Sequence, residues 1–132
     1  MTVVLDSWAV LRMLEGSEPV ASRVERIMWS DERPVMNWIN VGEVFYVTRR
    51  AAGERTAEDI LRTLRSVLHL ESPSDRRVIE AARIKADHAM AYADAFAAAT
   101  TIAHKAVLWT GDPELLVEGA AWSWEDLRST AR

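Results

Sequence analysis

Val3-Val4-Leu5-Asp6-Ser7-Trp8-Ala9-Val10-Leu11 passes from a short β-branched run into an acid, a serine and then apolar residues at helical spacing. Residues 2–5 have the length and branching of a buried strand. Asp6-Ser7 supplies oxygens that cap a helix N-terminus, and Val10, Leu11 and Leu14 give that helix an apolar face. A strand that turns directly into a helix is half of a βαβ unit, and the same alternation continues along the chain.

Val20, Val24, Ile27 and Met28 predict a second helix over 17–28, ended by an acidic turn and Pro34. Residues 35–39 read as a buried strand, and Asn40 as the start of a helix reaching Ala52-Gly53. Ala57, Ile60, Leu61, Leu64 and Leu68 stripe the next helix. His69-Leu70-Glu71 is a brief strand, after which Pro73-Ser74 opens a helix through Lys85. Residues 92–104 are Ala-rich and helical, and 106–109 form an apolar strand running into Thr110-Gly111-Asp112-Pro113. A short helix then leads to a last strand at 120–124. This alternation predicts an α/β fold, a three-layer α/β/α sandwich around a central, mostly parallel sheet of about five short strands. Right-handed crossovers bring the C-terminal ends of such strands to one edge, where open α/β sheets bind ligands.

With 49% hydrophobic and 27% charged residues, 132 residues suffice for a core, and no linker or repeat divides them, so 1–132 is expected to be one domain. No apolar run approaches the roughly 18 residues of a membrane span, and no basic leader precedes Asp6, so the expected setting is cytoplasmic, with no membrane partner. The absence of cysteine excludes disulfides, thiolate zinc sites and Cys nucleophiles. A net charge of −4, from 16 basic and 20 acidic residues, is not the balance of a protein that binds phosphates through a basic surface.

Four acids close a strand or open a helix: Asp6, Glu43, Asp94 and Asp112. Each has a local explanation. Asp6 suits an N-cap, Asn40-x-x-Glu43 matches a capping box, Asp94 lies in a first helical turn, and Asp112-Pro113 is an N-cap followed by proline. Strand polarity nevertheless places Asp6, Glu43 and Asp112 on one edge of the sheet, with Asp94 beside them if its helix starts there. Carboxylates sharing a cavity repel one another and resist ionisation unless a positive charge lies between them. Oxygen ligands with no Cys and no His pair suit a hard divalent cation, Mg²⁺ or Mn²⁺, and not zinc. Such an ion activates water and stabilises charge on a phosphoryl group, so phosphodiester hydrolysis is the expected chemistry.

These residues also carry a family resemblance. Val3-Val4-Leu5-Asp6-Ser7, Asn37-Trp38-Ile39-Asn40-Val41-Gly42-Glu43-Val44-Phe45-Tyr46, Tyr92-Ala93-Asp94-Ala95-Phe96-Ala97-Ala98-Ala99-Thr100 and Leu108-Trp109-Thr110-Gly111-Asp112-Pro113-Glu114 resemble the four signature segments of the PIN domain. In size and motif order the chain is similar to VapC-type toxin ribonucleases of toxin–antitoxin pairs. The resemblance implies a Mg²⁺- or Mn²⁺-dependent endonuclease of single-stranded RNA with Asp6, Glu43, Asp94 and Asp112 as its acidic pocket. Asp6 and Asp94 match the most direct metal ligands, Glu43 and Asp112 match positions that bind metal directly or through water, and Ser7 and Thr110 match supporting hydroxyls. It further implies a homodimer, an RNA substrate and a cognate antitoxin protein. Trp8 departs from the pattern, since a small residue often stands there, and Glu114 is a possible substitute for Asp112. A catalytically silent PIN-like module that binds protein or RNA is the alternative, disfavoured by retention of all four acids. An aspartyl-nucleophile domain fits poorly, because Ser7 and Trp8 stand where a second acid is needed.

Of the six tryptophans, Trp8, Trp38 and Trp109 invite a base-stacking role but are expected in the core, while Trp29 is the better candidate for an exposed surface. His88 is expected as a half-exposed helix-end residue, and Arg49-Arg50 and Arg76-Arg77 are candidate phosphate contacts. Four of the 20 acids belong to the proposed pocket, and the remainder balance the 16 basic residues. The acidity is thus local, and it does not exclude a nucleic-acid substrate.

Overall fold

The computed structural model describes residues 1–128. Among them the chain runs β1 (Val3–Leu5), α1 (Ser7–Leu14), α2 (Val20–Met28), β2 (Val35–Asn37), α3 (Trp38–Ala52), α4 (Glu54–Val67), β3 (His69–Glu71), α5 (Asp75–Asp87), α6 (Tyr92–Ala103), β4 (Val107–Thr110) and β5 (Ser123–Asp126). The five strands form one sheet in the order β3-β2-β1-β4-β5, and every neighbouring pair is parallel.

The sheet is covered on both faces, which is why β1 is buried at all three positions and reads as a continuous apolar run. Val3 and Leu5 point into a core with Ala9 and Val10 of α1, Val24 of α2, Val41 and Val44 of α3 and Leu64 of α4. Val4 points the other way, into a core built with Ala81 of α5, the alanines of α6, Leu108, Leu115 and Trp122. Small side chains let α6 approach the sheet closely, and it is buried over eight of its twelve residues. The order reverses at β1, which has β2 on one side and β4 on the other. A crevice opens at such a switch point, outside the C-terminal ends of the strands.

Several boundaries differ from the sequence reading, among them α2, which starts at Val20 and not at residue 17, and β4, which ends at Thr110 and not at residue 109. β2 stops at Asn37, whose Oδ1 accepts the Ile39 N–H at 2.9 Å and caps α3, so the helix starts at Trp38 and not at Asn40. Two Asn three residues apart offered the same chemistry, and the one at the strand end took the cap. The expected short helix before the last strand is a single turn over 113–115, although Asp112 Oδ1 accepts the Glu114 N–H at 3.0 Å as an N-cap would. The last strand lies at Ser123–Asp126 in register with β4, later than residues 120–124. Among the described residues, no helix is long and apolar enough to cross a membrane.

Candidate active site at the C-terminal edge of the sheet

Asp6 follows β1 and caps α1. Its Oδ1 accepts the Ala9 N–H at 2.9 Å, and its Oδ2 accepts the hydroxyl of Thr110. The ladder explains the second contact: Leu5 is paired with Trp109, so the residues that follow them stand side by side across the switch point. Thr110 Oγ1 accepts the Asp112 N–H at 3.0 Å and thereby folds the chain after β4 back over the strand ends. One side chain thus caps α1 and ties β1 to the end of β4.

Glu43 lies in the second turn of α3 and does not close a capping box with Asn40. It accepts the Ser7 hydroxyl at 2.5 Å, joining α3 to the first residue of α1. Asn40 is fully buried and donates through Nδ2 to the Ala93 carbonyl at 2.9 Å. Asp94, next in sequence, is buried in the first turn of α6. One carboxylate oxygen from each of Asp94, Asp112 and Glu114 lies within 4.8 Å of the others. Glu114 thus stands beside Asp112, and it also accepts the Ala91 N–H at 3.2 Å.

The acidic cluster is electrostatically loaded. Burial pushes the Asp6 carboxyl up to about 7, against the Thr110 and Ala9 hydrogen bonds that favour its anion, and the charges of Asp112 and Glu43 add to the rise. Burial also raises Asp94, to about 8, helped by the Asp112 charge, by a hydrogen bond with Glu114 and by the charges of Asp6 and Glu43. The four acids singled out in the sequence are thus close enough to act on one another's protons. A donor set made only of carboxylate oxygens, two of which resist ionisation without a nearby positive charge, fits a hard divalent cation. The first turns of α1 and α6 add partial positive charge at Asp6 and Asp94.

Trp8 stands beside this edge, half-buried, with the Arg12 guanidinium 5.2 Å from its ring centre. Its indole covers Gly111, the residue between Thr110 and Asp112. Trp109 is buried and Trp38 half-buried, as expected of core aromatics, and Trp29, at the C-terminal end of α2, is 70% exposed. The arginine candidates divide. Arg77 is locked onto Glu71 at 2.8 and 3.0 Å, Arg49 pairs with Glu54 at 2.6 Å, Arg76 reaches Glu80 at 3.5 Å, and Arg50 lies over the exposed Tyr46 ring. His88 packs edge-on against Trp122 and lies outside the carboxylate cluster. Asn40 escaped the sequence reading as a tertiary contact, and its only signal was a second Asn one turn after a better-placed cap.

The PIN domain family model matches residues 3–117. By sequence, no curated protein matches the chain. Among solved structures, VapBC-1 from nontypeable Haemophilus influenzae is similar at 17% identity and a TM-score of 0.75, over 98% of this chain and 100% of that one. VapBC2 from Rickettsia felis, bound to a DNA fragment from its promoter, shares 14% identity and a TM-score of 0.75 over 96% and 98% of the two chains. VapC20 from Mycobacterium tuberculosis, a Sarcin-Ricin loop cleaving toxin, shares 15% identity and a TM-score of 0.74 over 89% and 95%. The family match over most of the sequence, together with the switch-point placement of the acids, establishes that this chain belongs to the PIN domain family.

Proposed function

We propose that this protein is a divalent-metal-dependent endoribonuclease of the VapC toxin type, hydrolysing phosphodiester bonds of single-stranded or loop RNA. The observation that carries this reading is the convergence of Asp6, Glu43, Asp94 and Asp112, from four separate chain segments, on one edge of the sheet, with Asp6 and Asp94 held far above the usual carboxylate range. Asp6, Asp94 and Asp112, with Glu43 and Glu114 directly or through water, would hold Mg²⁺ or Mn²⁺. The bound ion supplies an activated water and charge stabilisation at phosphorus.

The remaining work falls to the protein. Thr110 fixes the Asp6 carboxylate and the turn that carries Asp112. Ser7 fixes the Glu43 rotamer. Burial of Asp6 and Asp94 keeps bulk water from these two carboxylates, which strengthens the charge interactions they make. The solved relatives include a toxin–antitoxin complex from Klebsiella pneumoniae and a Sarcin-Ricin loop cleaving toxin, which supports a cognate antitoxin as partner and a nuclease role. A homodimer and a single domain spanning 1–132 complete the proposal.

The test is cleavage of a labelled single-stranded RNA by the purified protein with Mn²⁺ or Mg²⁺. Wild type should cut, EDTA should stop it, and Asp94→Asn should lower kcat by roughly 10²-fold or more while the protein stays folded. Equal cutting by Asp94→Asn would remove the pocket from the reaction.

A further inference from the structure

α6 begins without a side-chain cap of its own: Ala91 at the N-cap offers no oxygen to the first turn. The start of this helix, which sets the position of Asp94, is held by contacts from elsewhere in the chain. One is the Ala91 N–H bond to Glu114. The other is the Asn40 carboxamide, which reaches from α3 to the Ala93 carbonyl at 2.9 Å. Asn40 lies one turn before Glu43 on α3, and Ala93 immediately precedes Asp94 on α6. A single hydrogen bond therefore spans the two helices that bring acids to the site from opposite cores.

The amide orientation is determined by chemistry. Turning it over would set Oδ1 against the Ala93 carbonyl oxygen, two acceptors face to face. As placed, Nδ2 makes the bond, while Oδ1, also buried, has no donor among the described residues. A fully buried polar side chain with one bond made and one acceptor unused is not explained by packing alone.

We propose that Asn40 is a positioning residue: its bond to the Ala93 carbonyl fixes the spacing between Glu43 and Asp94 and so sets the geometry in which the acidic cluster receives a divalent ion. The proposal rests on the metal-dependent reading above. It assigns Asn40 no contact with substrate or ion.

The test compares the wild type with Asn40→Ala and Asn40→Leu, the second filling a similar volume with no donor at any pH. Amide hydrogen exchange is measured on the metal-free proteins. Both variants should exchange roughly 10-fold faster at Ala95, Phe96 and Ala97, in the first turns of α6, and at the wild-type rate at Thr101 and Ile102. Mn²⁺ affinity, read by calorimetry, and kcat on RNA should each fall about 10- to 100-fold in Asn40→Ala, with KM for RNA within about twofold. Wild-type exchange in both variants would overturn the tether. Faster exchange with unchanged Mn²⁺ affinity would overturn its role at the site. If Asn40→Ala does not fold, Asn40→Leu carries the exchange arm. If wild type neither binds Mn²⁺ nor cuts RNA, the nuclease reading fails, and the exchange rates still decide whether the tether exists.

Discussion

The indole of Trp8 occupies the space in which any side chain at position 111 would begin: a Cβ built on Gly111 would stand 2.3 Å from the ring. Nothing else about this glycine is unusual, since its φ is not positive. It is a glycine because of what lies over it. Gly111→Ala should force the ring aside and cost about 1–3 kcal/mol through overpacking. Trp8→Leu should recover most of that loss in the double variant, so thermal melts of the four proteins should give a clear coupling energy between the two positions. Strict additivity would mean that the ring moves away without cost.

The acidic cluster should make metal-free protein more stable as the pH falls. Asp6 and Asp94 have folded-state pKa values of about 7 and about 8, above the ordinary 3.8. A raised carboxyl contributes stability that is complete below the unfolded value and lost as the pH rises through the folded one. The melting temperature in EDTA should therefore climb between pH 8.5 and pH 5. Asp94→Asn, which removes the charge and keeps the shape, should raise it at pH 8 by several degrees, on the order of 1–2 kcal/mol, and flatten the slope. A melting temperature that falls across that interval would contradict the repulsion.

Divalent ions should act in the opposite sense, rising in affinity with pH because they displace protons from these carboxyls. The approach of Asp94, Asp112 and Glu114 to within 4.8 Å makes the third residue part of the cluster. Glu114→Gln should weaken Mn²⁺ binding by a factor comparable to Asp112→Asn when both are titrated at pH 7.5. Wild-type affinity in Glu114→Gln would reduce that residue to its bond with the Ala91 N–H.

A separate charge network braces the edge strand β3. Glu71, at the end of β3, accepts two bonds from Arg77 at 2.8 and 3.0 Å, one from Asn37 at 3.3 Å, and lies 2.7 Å from His104 Nε2. Arg77 chiefly, with His104, draws the Glu71 carboxyl down to about 2 from 4.5. A lowered carboxyl contributes stability above its unfolded pKa that disappears as the pH falls through the folded one, so this network should fail between about pH 4.5 and pH 2. Glu71→Gln should cost roughly 1.5–3 kcal/mol at pH 7 and almost nothing near pH 2, as measured by denaturant midpoints. An equal cost at both values would mean that shape, not charge, holds the site.

The layered fold and the placement of the acids were legible because they follow from short-range rules. β-branched runs, helical spacing and strand polarity brought Asp6 and Asp112 to one edge before any contact was known. What stayed hidden depends on residues far apart in the chain. The pairing of Asn37 with α3 and of Asn40 with Ala93 separates two residues of identical chemistry by their tertiary partners alone. Likewise Gly111 reads in Gly-Asp-Pro as a turn residue, whereas the space taken by Trp8 is what excludes a larger one. The Arg76-Arg77 pair looked available for phosphate, and only the approach of β3 to α5 commits Arg77 to Glu71.

With the Asp6 and Asp94 carboxyls pushed up to about 7 and about 8, the charge of the metal-free cluster should vary with the buffer near neutral pH. Any ion that binds only the folded pocket stabilises the chain by mass action, and does so more strongly the higher its free concentration relative to Kd. The melting temperature thereby becomes a gauge of contamination: two samples of identical sequence that melt apart at pH 8, and together after chelation, differ in the trace metal they carry.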